Sequence, residues 1–243
     1  MPLTVAPLNL GTLTVDKSGL TLRKGLGTKV EAPCLAWVIQ GGAYPVLVDS
    51  GPCDDPIWGT RHHNPFARSK DQSLGEALRR IGLTPEDIRL VVLSHLHWDH
   101  CYGNVWLPNA RFLVQRAELA YAIAPFGCDA PIYETQLGTP HFMKTFDRFD
   151  VVDGEVEVMP GVRVVPLPGH TPGLQGVVVD TAEGPFAIVS DHMPLFENFD
   201  AMIPTGIIHS LERWYESARR IRALGARILP GHDIRILEKN IYP

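Results

Sequence analysis

Near the middle of the chain, six consecutive residues carry four groups able to bind a metal or move a proton: His95-Leu96-His97-Trp98-Asp99-His100. Imidazole nitrogens and carboxylate oxygens are standard donors to zinc and similar divalent ions. Side chains two apart on an extended segment point the same way, so His95 and His97 can grip one ion together. A turn after them lets Asp99 and His100 face a second. Further groups of the same kind follow: His170 in Pro168-Gly169-His170-Thr171-Pro172-Gly173, Asp191 in Ser190-Asp191-His192, and His232 in Pro230-Gly231-His232-Asp233. His95, His97, Asp99, His100, His170, Asp191 and His232 make a set that two zinc ions per chain would use completely, each taking three and sharing one.

Each of these groups stands at the end of an apolar run. Val46-Leu47-Val48 leads into Asp49, Ile88 to Leu93 into the histidine cluster, and Val162 to Leu167 to the edge of His170. Phe186 to Val189 precedes Asp191, and Ile228-Leu229 precedes His232. Layered α/β proteins gather ligands and catalytic groups at strand C-termini, from segments distant in sequence. Thr12 to Val15, Cys34 to Gln40, Arg111 to Val114 and Gly176 to Val179 read as further strands. Helical spacing marks Leu74, Ala77, Leu78 and Ile81 behind the N-cap Ser73, the stretch 116–124, and Leu211, Trp214, Tyr215, Ala218, Ile221 and Leu224. Segments 52–71 and 125–149 read as irregular. No linker divides the chain, so residues 1–243 are expected to form a single α/β layered sandwich domain.

Composition removes several function classes. The chain of 243 residues is 45% hydrophobic and carries a net charge of −5, without the basic excess that nucleic-acid binding requires. No apolar run approaches the ~20 residues of a membrane-spanning helix, and no signal peptide is read, so a cytoplasmic location without membrane or nucleic-acid partners is expected. The four cysteines are scattered with no C-x-x-C pair, which speaks against a disulfide framework and a thiolate zinc site. Arg219, Arg220, Arg222 and Arg227 read as a solvated face.

In this order, Asp49, Ser94-His95-Leu96-His97-Trp98-Asp99-His100, Gly169-His170-Thr171, Asp191 and Gly231-His232-Asp233 resemble the metallo-β-lactamase fold superfamily, over about Val46 to Asp233. The resemblance implies a four-layer αβ/βα sandwich, with His95, His97 and His170 on one metal, Asp99, His100 and His232 on the other, and Asp191 bridging. The diiron flavoprotein branch carries an acid at position 97, so His97 favours zinc. The absence of Asn at position 95 separates the chain from the single-zinc lactamases. Within the superfamily the sequence is most similar to the N-acyl homoserine lactonases, through Val92 to Asn104, Pro168 to Gly173 and Gly231-His232-Asp233. Those lactonases place a tyrosine three residues after the bridging aspartate; here that position is Pro194.

The resemblance implies a dinuclear zinc hydrolase that opens a lactone, as in quorum quenching, by attack of a metal-bridging hydroxide. Phosphotriesterase, thioesterase and β-lactam hydrolase chemistry on the same site are the alternatives, and a metal-binding interaction protein is the non-enzyme one. Asp99 is expected to shuttle a proton to the leaving group. His192 either replaces the missing tyrosine as an oxyanion donor or faces away. Asp49 either accepts from the far nitrogen of a ligand histidine or caps a turn. Trp58, Phe66, Trp98, Met193, Phe196, Phe199, Met202 and His209 are candidate pocket walls, whereas His62, His63 and His141 are expected to be solvent-exposed. A small ester or lactone as substrate and a homodimer complete the expectation.

Overall fold

The computed structural model describes residues 2–243. Two sheets face one another. The first contains β1 (Thr4–Asp16), β2 (Lys29–Gln40), β3 (Val46–Val48), β4 (Phe66–Ala67), β5 (Leu90–Val92), β6 (Arg111–Gln115) and β7 (Phe149–Val152), in the order β4-β1-β2-β3-β5-β6-β7. The second contains β8 (Val156–Met159), β9 (Val162–Pro166), β10 (Gln175–Thr181), β11 (Gly184–Ser190) and β12 (Arg227–Pro230), in the order β12-β11-β10-β9-β8. Strands β3, β5, β6 and β7 run parallel, as do β11 and β12.

Alternation along the strands dictates the layers, because successive side chains leave opposite faces. Leu35, Trp37 and Ile39 of β2 meet Val162, Val164, Val177 and Val179 between the sheets. Ala36 and Val38 turn the other way, towards Leu74, Ala77 and Leu78 of α3 (Leu74–Arg80) and Leu119 and Ala122 of α5 (Arg116–Ile123). On the far side Val165, Val178 and Ala187 pack on Trp214, Ala218 and Ile221 of α7 (Leu211–Ala223). Burying each large apolar side chain of these layers is worth about 1.5–3 kcal/mol. The result is helix, sheet, sheet, helix, the α/β four-layer sandwich expected from the sequence.

Several elements exceed the expectation. β1 runs for 13 residues instead of the four expected, because an irregularity in its pairing between Asn9 and Thr12 hides the alternation. Segment 52–71 contains α2 (Pro56–His62), whose start is set by Pro56 and by the Asp55 side chain accepting from the backbone of Ile57 and Trp58. The segment 125–149 holds a 3-10 stretch over His141–Arg148, and β7 and β8 follow it.

At the end of the sandwich where the chemistry lies, the sheets are pinned by a buried pair of amides. Gln115 Nε2 donates to Gln175 Oε1 at 2.8 Å, and Gln175 Nε2 donates to the carbonyls of Leu93 and Leu113 at 2.8 and 3.1 Å. This fixes the C-terminal ends of β5 and β6 against the start of β10.

Candidate metal centre

Four loops leaving strand ends converge here. The chain leaves β5 extended through His95 and His97, then enters the short helix α4 (Trp98–Cys101), which turns Asp99 and His100 to the other side of the site. His170 arrives on the loop after β9, Asp191 directly after β11 and His232 directly after β12. All seven side chains come together. Ligand-type atoms of His95, His97 and His170 lie within 4.8 Å of one another, as do those of His95, His100 and Asp191, and those of Asp99, His100 and His232. Asp191 stands between the groups: its Oδ1 is 3.1 Å from His232 Nε2 and 3.3 Å from His100 Nε2, and its Oδ2 is 3.7 Å from His170 Nε2.

The outer ring nitrogens fix which atoms face inward. His100 Nδ1 donates to Asp49 Oδ2 at 2.9 Å, His170 Nδ1 to the Ile207 carbonyl at 2.7 Å, and His232 Nδ1 to the Pro33 carbonyl at 2.9 Å. Ser94 spends its single hydroxyl hydrogen on Asp49 Oδ2, so it can only accept from His95 Nδ1 at 2.9 Å. Four imidazoles therefore present Nε2 to the centre in a fixed orientation. Asp49 thus accepts from His100 and from the backbone and hydroxyl of Ser94. It and Ser190 sit at positive φ, 61° and 45°. Such backbone is costly for residues other than glycine and persists where the surroundings hold it.

Charge divides the cluster in two. Burial drives the imidazoles of His95 and His97 well below the ordinary histidine range, with neighbouring imidazoles adding to the effect, and burial also lowers His170. For His100 burial opposes the proton, but Asp191, Asp99 and Asp49 outweigh it and raise the group well above its usual value. Burial is likewise outweighed at His232, chiefly by Asp191, and at Asp191, which His232 and His100 hold well below the carboxylate range.

This donor set fits a pair of divalent ions. His97 Nδ1 lies 2.9 Å from His95 Nε2 and 3.2 Å from His170 Nε2, three neutral nitrogens turned toward one another. His100 Nε2 and Asp191 Oδ1 are buried without a hydrogen bond. Nitrogen and oxygen donors without thiolate suit zinc or a similar borderline cation.

The centre opens into a narrow cleft of about 60 Å³ lined by Leu13, Leu20, Trp98, Ile132 and Ile207 around His97, Asp99, Asp191 and His232. Of the expected walls only Trp98 lines it. Met193, Phe196, Phe199 and Met202 belong to the packing under α7, and Trp58 and Phe66 support Trp98 from behind. His209 packs on Phe126 and Tyr121. His192 faces away: it is fully buried, stacked 5.1 Å from Trp214, and outside the cleft lining. The expected exposure of His63 and His141 is corrected as well. The His63 side chain is 2% exposed, its ring lies 4.0 Å from and parallel to Trp98, and its Nε2 is 3.4 Å from Glu134 Oε1. His141 stacks on Tyr102 at 3.4 Å.

The sequence reading missed Glu118. Its carboxylate is fully buried on α5 and accepts from Leu96 N, Tyr133 Oη, Thr171 Oγ1 and Gly173 N. The available signal was a glutamate between Ala117 and Leu119 in the first turn of a helix whose neighbours are core residues.

Comparison with known proteins gives concordant findings. The family model described as the metallo-beta-lactamase superfamily matches residues 30–232. An N-acyl homoserine lactonase from a Bacillus species is 27% identical, with 92% of this chain and 90% of the relative covered. The N-acyl homoserine lactonase AiiB of Agrobacterium fabrum is 28% identical over 93% of this chain and 92% of its own length. Among solved structures, an N-acyl homoserine lactone hydrolase with the product N-hexanoyl-L-homoserine at its catalytic metal centre superposes with a TM-score of 0.80 at 23% identity, covering 97% of this chain and 95% of that one.

Proposed function

The chain belongs to the metallo-beta-lactamase superfamily and is a metal-dependent hydrolase, and from that premise we propose that it opens a lactone ring carrying an apolar chain, with two zinc ions as cofactors. The observation that carries the reading is the convergence of His95, His97, Asp99, His100, His170, Asp191 and His232 at the foot of an apolar cleft. The lactonase relatives support the substrate class.

His95, His97 and His170 would hold one ion and Asp99, His100 and His232 the other, with Asp191 between them. Ions so held lower the pKa of water toward neutrality and polarise a carbonyl oxygen. The chain's own residues do the rest. Leu13, Leu20, Ile132 and Ile207 give the apolar chain its first contacts beside the ring, since the cleft of about 60 Å³ holds only that end, and they exclude water from its foot. Trp98 forms one wall, held flat by His63. Asp99 lies 3.9 Å from His232 and 3.7 Å from His100 through Oδ2, which leaves Oδ1 to take the proton that the attacking water gives up and pass it to the departing alkoxide. His232 is held from its backbone by the Pro194 carbonyl, and with proline at the position where lactonases carry tyrosine no hydroxyl is offered to the substrate there.

Acid release from the zinc-loaded protein with a long-chain N-acyl homoserine lactone tests the reading, with His97→Ala as the blank. The expected result is ring opening that falls to background in the variant. A protein holding two zinc ions that leaves the lactone intact overturns the substrate class and moves attention to phosphotriesters and thioesters. The same reading places the protein in the cytoplasm as a single-domain homodimer. The dimer is supported by Leu26, apolar and 85% exposed; among the described residues no helix is long and apolar enough to cross a membrane. Sedimentation velocity showing only a 26.9 kDa species would remove the dimer.

A further inference from the structure

Among the described residues, Glu118 is the one buried carboxylate that touches both halves of the sandwich at the centre without facing the cleft. Its Oε1 accepts from Leu96 N at 3.0 Å and from Tyr133 Oη at 2.8 Å; its Oε2 accepts from Thr171 Oγ1 at 2.5 Å and from Gly173 N at 3.2 Å. Leu96 lies between His95 and His97, on the loop after β5. Thr171 follows His170, on the loop after β9. The Tyr133 ring meets His97 edge-on, with ring centres 4.6 Å apart. Each of the three histidines that face one another is therefore tied to the same carboxylate by a neighbouring residue.

We propose that Glu118 is a positioning residue for the triad His95, His97 and His170, setting the distance between the two loops and so the affinity and geometry of the ion they hold. The inference rests on the metal-centre reading above. Four donors meet the four lone-pair directions of an ionised carboxylate, so the arrangement is saturated. An amide of the same shape cannot reproduce it. Whichever way the amide is turned, its NH2 group confronts one hydroxyl and one backbone N–H. The hydroxyl can rotate and accept, but the N–H of Leu96 or of Gly173 cannot. One histidine loop is thus released while the side-chain volume stays the same.

The test uses the full chain and Glu118→Gln, with zinc and cobalt(II) as probes. Competition against a chromophoric chelator reads the two dissociation constants, and the visible bands of the cobalt-loaded protein report coordination geometry. The expected result is that one ion binds about 10- to 100-fold more weakly, the usual effect of losing a partner that orients metal ligands. The cobalt bands shift, and kcat falls while KM stays within about twofold, since no cleft wall has changed. Thr171→Val and Tyr133→Phe each remove a single hydroxyl donor and carry the test if Glu118→Gln does not fold; both should weaken the same ion by about three- to tenfold. Wild-type dissociation constants with superimposable cobalt bands in the variants overturn the proposal. A wild-type protein that binds both ions but opens no lactone overturns only the substrate reading, whereas one that takes up neither zinc nor cobalt overturns both.

Discussion

His141 shows how a single side chain can set a pH limit away from the centre. Burial, with Lys144 adding to it, pushes its imidazole down to about 4, and its Nε2 is buried without a partner. The unfolded chain takes up a proton near the ordinary value of about 6.5, the folded one only near 4. Protons therefore favour the unfolded state as pH falls through that window. The stability contributed by the neutral ring is complete above about pH 6.5 and is lost progressively towards pH 4. His141→Phe keeps an aromatic ring against Tyr102 and removes the proton site. Melting temperatures of the two proteins measured from pH 7 to pH 4 should diverge, the wild type falling further. Parallel curves would contradict the account. At the same scale, the metal-type residues were readable because four fall within six positions and the others follow apolar runs. His63, His141 and Glu118 were not, because their surroundings exist only once distant segments have closed over them.

Elements act here by bringing their ends close together. Gly173 begins the approach to β10, and a Cβ there would stand 2.1 Å from the backbone nitrogen of Glu118 and 2.6 Å from its Cα. Both obstacles are backbone, so the first turn of α5 would have to move. Gly173→Ala is expected to destabilise the fold by about 3 kcal/mol or more, read from urea unfolding, and to weaken metal binding together with stability. A variant unfolding at the wild-type midpoint would show that α5 shifts freely. The strands that deliver the site were legible, since runs such as Val46–Val48 and Phe186–Val189 are short, apolar and bounded by turn residues. The full length of β1 was not, because a break in register interrupts its alternation, and α2 was hidden in a segment whose capping signal, Asp55-Pro56, is only two residues long.

For the whole molecule, the centre is a fastening between the two sheets. His95, His97, Asp99 and His100 come from the first sheet; His170, Asp191 and His232 come from the second. An ion that binds only the assembled set stabilises the folded state by mass action, about 2.7 kcal/mol per site at a free concentration 100 times the dissociation constant. For a chain of this size that corresponds to a rise of about 5–10 °C per site. Calorimetry of chelator-stripped protein, before and after zinc is restored, should show this gain, and an unchanged melting temperature would refute the shared-site geometry. The layered architecture followed from counting apolar runs and helical faces. The course of segments 52–71 and 125–149 did not, because it depends on their mutual contact across Trp98 and not on periodicity within either.

That contact divides the labour of the chain. The donor atoms of the centre lie on the loops and the short helix α4 that follow strand ends, whereas the His63–Trp98 stack and the Glu134 carboxylate beside it join two excursions that supply no donor. The excursions brace the Trp98 wall and add Asn64 and Ile132 to the cleft, and the strand ends bring in the donors. Exchanging both excursions together, as one matched cassette, would reshape that side of the cleft while the donor set stays in place. Exchanging either alone would leave its counterpart without the surface it leans on.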